Sequence, residues 1–281
     1  MKMRNMLKPS PLSFFLRMAA YLAALTTALA AGFIIIYILI KGIPYLSMDL
    51  FALRYTSDNV SMMPALINTV TMIIMALLIA VPAGLGAAVY MTEYAARGSR
   101  LVKAVGVTAE TLAGIPSIIF GLFGYMFFLT ALKWGYSVMA GACTLAMMIV
   151  PLMIRTAQEA LMAVPDAYRE GSFGLGAGRL RTVFRVVLPS AAPGILAGVI
   201  LSVGRIAGET AALLYTSGTV AKIPANLMES GRTLAVHMYV LSSEGLYINQ
   251  AYATAVVLLL LVICINAFSS MAAGKMSKGK A

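Results

Sequence analysis

Charge is scarce in this chain. Only 11% of its 281 residues are Asp, Glu, Lys or Arg, while 61% are apolar. Soluble domains carry roughly a quarter charged residues, so that class is excluded, and the mean hydropathy of +0.90 agrees. Histidine is nearly absent: His237 alone cannot build a His-based metal site or a His–carboxylate relay. The two cysteines, Cys143 and Cys264, both lie inside apolar runs. They read as small core residues and not as a disulfide. There is no G-x-x-x-x-G-K-[ST] loop, no H-E-x-x-H and no C-x-x-C, so the chain offers neither a phosphate cradle nor a metal or redox motif. No cofactor is implied, and any use of ATP requires another chain. The apolar excess and the lack of a matching repeat also exclude disorder, collagen and coiled coil.

What is present is apolar sequence in long runs. Six stretches, near 19–40, 64–90, 113–132, 137–154, 191–216 and 250–270, can each cross an apolar layer about 30 Å thick. The expected fold is therefore an all-α integral membrane protein of six transmembrane helices, its apolar outer faces against lipid. Residues 1–18 form an N-terminal segment and 271–281 a tail. Lys2, Arg4, Lys8 and Arg17 ahead of the first run imitate a signal peptide, and Ala28-Leu29-Ala30 imitates a cleavage site. The run continues to Ile40, too long for a signal core, and reads as an uncleaved span. Pro82, Gly84 and Gly86 in the second run, with Gly121 and Gly124 in the third, suit close helix packing. No internal repeat stands out, which weighs against a carrier built from inverted repeats.

The net charge of +11 has a direction. With the N-terminus inside, the inner segments hold 15 of the 21 basic residues: Lys2, Arg4, Lys8, Arg17, Arg97, Arg100, Lys103, Arg155, Arg169, Arg179, Arg181, Arg185, Lys275, Lys278 and Lys280. The outer segments hold Lys41, Arg54, Lys133, Lys222 and Arg232, and Arg205 is left within a span. That bias favours both termini inside. Basic residues scattered among spans do not make a nucleic-acid footprint.

The inner loop 155–190 is the most informative stretch. Pro165-Asp166 suits a helix start, and Gly176 and Gly178 suit stops. Leu180, Val183, Phe184 and Val187 fall at i, i+3, i+4, i+7, with Arg179, Arg181 and Arg185 off that stripe. Two short helices meeting at a glycine turn can dock into a groove on a soluble partner. The arginines would equally suit an amphipathic helix lying on anionic lipid.

A resemblance separates these readings. Permeases of ABC importers carry E-A-A-x-x-x-G, nine residues, then I-x-L-P. Here Glu170-Gly171-Ser172 is followed by Gly176, nine residues, and Val186-Val187-Leu188-Pro189. The spacing matches throughout, with Gly-Ser replacing Ala-Ala and Val replacing Ile. The resemblance implies a type I importer permease fold whose inner loop is the coupling helix, seated in a cleft of an ATP-hydrolysing subunit. It assigns Asp166, Arg169, Glu170, Gly171, Ser172, Gly176, Leu188 and Pro189 to that contact.

Three further stretches resemble the phosphate-importer branch, and its PstA-type permeases in particular: Ile206-Ala-Gly-Glu-Thr-Ala-Ala-Leu-Leu214; Ala87-Ala-Val-Tyr-Met-Thr-Glu-Tyr94; and Thr233-Leu-Ala-Val-His-Met-Tyr239 with Ala251-Tyr-Ala-Thr-Ala255. This resemblance implies no enzyme but half of a phosphate path. Its partners would be a second permease (PstC-type), two ATP-binding subunits (PstB-type) and an extracytoplasmic phosphate-binding protein (PstS-type). The outer segments 41–63 and 217–249 would gate the path and dock the binding protein, with Asp49, Asp58, Glu229, Glu244, Lys41, Arg54, Lys222 and Arg232 on a solvated face. The alternatives are a permease for another oxyanion or small solute and, from another class, an ion-driven carrier or channel.

On an ideal helix, Gly194, Gly198, Ser202, Arg205 and Glu209 of the fifth run share an arc of about 80°. Ile195, Leu196, Val199, Ile200, Val203 and Ile206 lie opposite, and Leu201 is the one apolar exception on the polar side. A charge there costs about 2.5–3.5 kcal/mol on insertion scales, so it needs a purpose. Arg205, Glu209 and Ser202 are the expected path residues, the arginine fork meeting phosphate oxygens and Glu209 holding it between passages. A purely structural Arg205–Glu209 pair is the other reading.

Overall fold

The computed structural model describes residues 11–96 and 98–278, with the side chains of 11, 12 and 272–278 left aside. Lys2, Arg4, Lys8, Arg97 and Lys280 of the charge count, with most of the N-terminal segment, therefore lie outside the described residues.

Eleven α-helices, two short 3₁₀ turns (Ile43–Tyr45 and Met48–Phe51) and no strand occur among the described residues. In chain order the α-helices are α1 (Pro11–Gly42), α2 (Met63–Val89), α3 (Arg100–Ala113), α4 (Ser117–Gly124), α5 (Val138–Met162), α6 (Asp166–Gly174), α7 (Arg179–Thr182), α8 (Leu188–Ala207), α9 (Ala211–Thr216), α10 (Leu234–Glu244) and α11 (Ile248–Lys278). Three wider, π-type turns extend α2 over Tyr90–Tyr94, α4 over Tyr125–Ala131 and α7 over Val183–Val187. Five helical segments are long and apolar enough to cross a membrane: Ser13–Tyr45, Met63–Tyr94, Val138–Met162, Arg179–Ala207 and Ile248–Met271. The sixth is a bent pair, Arg100–Ala113 and Ser117–Ala131, meeting at 100°. The bend falls at Gly114-Ile115-Pro116, where Pro116 pushes the residue before it out of helical conformation.

The centre is α5, packed between α2, α8 and α3. Its start is capped by Ser137, whose hydroxyl accepts from the Ala140 N–H. Met72 and Ile73 of α2, Leu145, Ile149 and Met153 of α5, Ile206 of α8 and Leu213 of α9 form the main core. A smaller core of Ala88, Leu161, Val164, Val187 and Ile195 lies at the end assigned to the cytoplasm. α1 packs along α11 at the periphery. Cys143 is half-buried and Cys264 exposed, so Cys264 is not the core residue its apolar run suggested.

At the opposite end the 217–234 loop is stitched to α2. The Asn68 amide donates to the carbonyls of Lys222 and Arg232, and the Thr69 hydroxyl accepts from the Leu234 N–H. Arg232 is buried with its guanidinium 4.7 Å from the Tyr55 ring centre, so it leaves the solvated face expected of it. His237 is also buried, and neither ring nitrogen has a hydrogen-bonding partner among the described residues.

Candidate functional site

The loop after α5 begins eight residues later than the apolar run implied, because α5 runs on to Met162. The chain turns at Val164-Pro165. Asp166 then opens α6, placing an acidic side chain against the positive end of the helix dipole. Gly176 closes it at φ +81°. The Gly176 N–H donates to the Phe173 carbonyl and the Ala177 N–H to the Ser172 carbonyl, the paired bonds of a Schellman end. Gly178 does not stop a helix: it is extended and caps the start of α7. Ser172 Oγ and Thr182 Oγ1, 2.8 Å apart, join α6 to α7.

The expected apolar stripe on the second helix is split. Thr182, Val183 and Val187 are buried, whereas Leu180 and Phe184 are exposed. The Val183–Val187 turn is wider than an α-turn, so the inward face is carried by Val183 and Val187 with Thr182 beside them, and Leu180 and Phe184 swing outward. Pro189 follows directly on this wide turn, inside the continuous helical segment Arg179–Ala207, and has no N–H to give to a preceding carbonyl.

The result is a knob at the end assigned to the cytoplasm. Tyr168, Phe173, Leu175 (91% exposed), Leu180 and Phe184 project from it, beside exposed Asp166, Glu170, Gly171, Arg179, Arg181 and Arg185. Leu188 and Pro189 are half-buried and Arg169 turns inward, its side chain only 16% exposed. Arg169 Nη2 lies 2.7 Å from Glu93 Oε1 and 2.9 Å from the Leu161 carbonyl. Its Nη1 donates to the Val164 carbonyl and to Asp166, and its Nε to both Glu93 oxygens. The bond to Glu93 holds the guanidinium above its ordinary range, against the opposing effect of burial. Nothing in the sequence singles out Glu93 for this contact. It stands in the stretch Ala87–Tyr94, but a partner 76 residues away leaves no local signal. A cleft of about 770 Å³ opens beside this cluster, and Arg179 reaches over the Tyr94 ring there.

The fifth span departs from the ideal helix. Gly194 lies against Ala160, Gly198 against Thr156, and Ser202 donates to the Gly198 carbonyl and to Met153 Sδ. The small, polar arc is therefore the seam with α5, and Ser202 is fully buried rather than path-lining. The open face is Pro193, Ala197, Leu201, Arg205 and Gly208, with Gly194 at its edge, so Leu201 shares a face with Arg205.

The helix then stops at Ala207. Gly208-Glu209-Thr210 breaks it, and α9 restarts at Ala211. Glu209, nearly buried, accepts from the Ala212 N–H and caps α9. The expected Arg205–Glu209 pair, structural or functional, is thus not formed. Past the break Glu209 no longer stands one turn above Arg205, and no ion pair joins them among the described residues. Beyond the break a groove of about 660 Å³ is lined by Thr210, Ala211, Tyr215, Tyr239, Ser242 and Tyr252.

Comparison with known proteins places this geometry. Residues 80–278 match the family model described as "Binding-protein-dependent transport system inner membrane component". A probable ABC transporter permease protein of Bacillus subtilis, YqgI, is 33% identical over 239 residues, covering 80% of this chain and 81% of that one. The phosphate transport system permease protein PstA of Haemophilus influenzae is 33% identical over 242 residues, 85% of each chain. Among solved structures, a chain of a bacterial ABC transporter involved in import of the acidic polysaccharide alginate aligns with a TM-score of 0.67. It covers 93% of this chain and 96% of that one at 18% identity, a likeness of fold.

Proposed function

The chain belongs to the family of inner membrane components of binding-protein-dependent transport systems, and we propose that it is the PstA-type permease subunit of an ATP-driven phosphate importer. The observation that carries the reading is the knob formed by α6 and α7, with its apolar projections ringed by charge at the arginine-rich end of the molecule. The 33% identity to phosphate permeases supports the choice of substrate. On this reading both termini and the knob face the cytoplasm, and two PstB-type subunits hydrolyse the ATP, one of them receiving the knob. Asp166, Glu170, Gly171 and Gly176 lie at that contact, while Ser172, Leu188 and Pro189 hold its two helices in line. A PstC-type permease supplies the other half of the path, and a PstS-type phosphate-binding protein docks at the opposite end.

Arg205 is the proposed anion contact. Its face of α8 is open in the single chain and leads past Gly208 to the groove at Thr210. A guanidinium presents a planar fork to phosphate oxygens. Glu209 serves the path by shaping the helix break, and Ser202 by seating α8 on α5. The test is uptake of labelled phosphate by the reconstituted complex, with sulfate and molybdate as competitors. Arg205→Gln should abolish uptake and leave assembly intact, and Arg205→Lys should recover only part. Normal uptake by Arg205→Gln would remove Arg205 from the path, and stronger competition by another oxyanion than by phosphate would change the substrate.

A further inference from the structure

The knob has two routes into the membrane. α7 runs through its wide turn directly into α8, so whatever moves α7 moves the helix that carries Arg205. α6 is joined to α5 only through Ala163-Val164-Pro165, a short non-helical connection that can bend. Across that connection lies Arg169. All five of its N–H groups have acceptors: Glu93 at the end of α2, the Leu161 carbonyl in the last turn of α5, the Val164 carbonyl in the connection, and Asp166 on α6 itself. The Leu161 carbonyl belongs to the last turn of α5, whose acceptors have no partner within the helix, and the Val164 carbonyl to the connection itself. One side chain of α6 therefore grips both α5 and α2.

Glu93 is placed for this by the Tyr90–Tyr94 turn, closed by the bond from the Ala95 N–H to the Tyr90 carbonyl and buttressed by Thr92 on the Ala88 carbonyl. Its side chain is only 8% exposed, so the pair is little screened by solvent. α2 and α5 in turn pack so closely that Gly84 lies against Met153 with no room for a Cβ, so a load on one bears directly on the other.

Resting on the importer reading above, we propose that Glu93 is a positioning residue for coupling. With Arg169 it locks the 163–165 hinge, so that displacement of α6 by the ATPase subunit is passed to α2 and α5 instead of being absorbed at the hinge. Neither residue of the pair touches substrate in this scheme. Their product is the amount of substrate moved per ATP.

The experiment uses the full complex, reconstituted in liposomes with its ATPase subunits, second permease and binding protein, and measures labelled phosphate imported and ATP hydrolysed in the same vesicles. Glu93→Gln keeps size and loses the charge. It should assemble with normal stoichiometry and hydrolyse ATP within about twofold of wild type, while phosphate moved per ATP falls about tenfold or more. Glu93→Asp, charged but shorter, should recover part of that ratio. Amide exchange at Ala163 and Val164 in the assembled complex should be faster in Glu93→Gln. A pair that only stabilises the fold would lower assembly, hydrolysis and import together and leave the ratio alone. That result, an unchanged ratio, or unchanged exchange at the hinge would each overturn the proposal. A wild-type complex that imports nothing on ATP would defeat the importer reading and the proposal with it, and it is seen before any variant is made.

Discussion

Gly176 closes α6 at φ +81°, in the region that side chains with a Cβ avoid. An ideal Cβ built there meets nothing within 4 Å, so a substitution suffers no clash within the chain and only the backbone cost counts. For an L-residue that cost is about 1–2 kcal/mol. Set against a surface turn held by two hydrogen bonds, from Gly176 to Phe173 and from Ala177 to Ser172, it shifts the local equilibrium toward a frayed end by roughly five- to thirty-fold. A partner that needs the formed turn then binds more weakly by the fraction lost. Gly176→Ala should therefore weaken capture of the ATPase subunit by up to that factor. Gly176→Asn should cost less, because asparagine tolerates the left-handed region. Gly176→Leu should match Ala in amide exchange at Ala177, since the space is open, and any excess loss in docking would locate the partner's surface at this turn. The assays are titration of the ATPase subunit against the detergent-solubilised permease and exchange at residues 176 and 177. Ala behaving as Gly, or Asn worse than Ala, would refute the reasoning.

Gly198→Ala should destabilise the α5–α8 seam by about 1–3 kcal/mol through overpacking, because its Cβ would stand 2.9 Å from the Thr156 Cβ. Adding Thr156→Gly should restore most of it, read as a double-mutant cycle in SDS unfolding. His237 is held neutral: burial first, then the Arg232 charge, push its pKa down to about 3, and the nearby Val60 backbone opposes them without closing a hydrogen bond. An unfolded chain takes up that proton below about pH 6.5, so stability should fall by about 1.4 kcal/mol per unit as pH drops from 6.5 toward 3. Denaturant midpoints between pH 7 and 4.5 should show that slope and lose it in His237→Gln; parallel slopes would remove His237 as the cause.

The parts legible in the sequence were those set by local chemistry. Run lengths located the membrane helices, and Pro165, Asp166 and Gly176 marked the bounds of α6 because a cap is written within four residues of itself. The start of the third span was not legible, since Arg100–Ala113 is amphipathic and its 100° bend leaves no gap in hydropathy. Nor was the break at Gly208-Glu209-Thr210, which lies inside the stretch 191–216 that reads as one span. The Glu93–Arg169 pair spans 76 positions and has no periodic trace at all.

The fifth span shows why a helical wheel misleads inside a membrane. A small or polar arc there means either a helix seam or a water-lined path, and the wheel draws both alike. What decides is the element opposite. Gly194, Gly198 and Ser202 face Ala160, Thr156 and Met153 of α5, so their arc is a seam. Arg205 is exposed, with neither a hydrogen bond nor an ion pair among the described residues, on a face that includes the larger, apolar Leu201. A guanidinium left open at that depth is tolerable only where water or another chain meets it. On the proposed importer reading, the composition of Arg205's own face therefore favours a path between two permeases over one inside this chain.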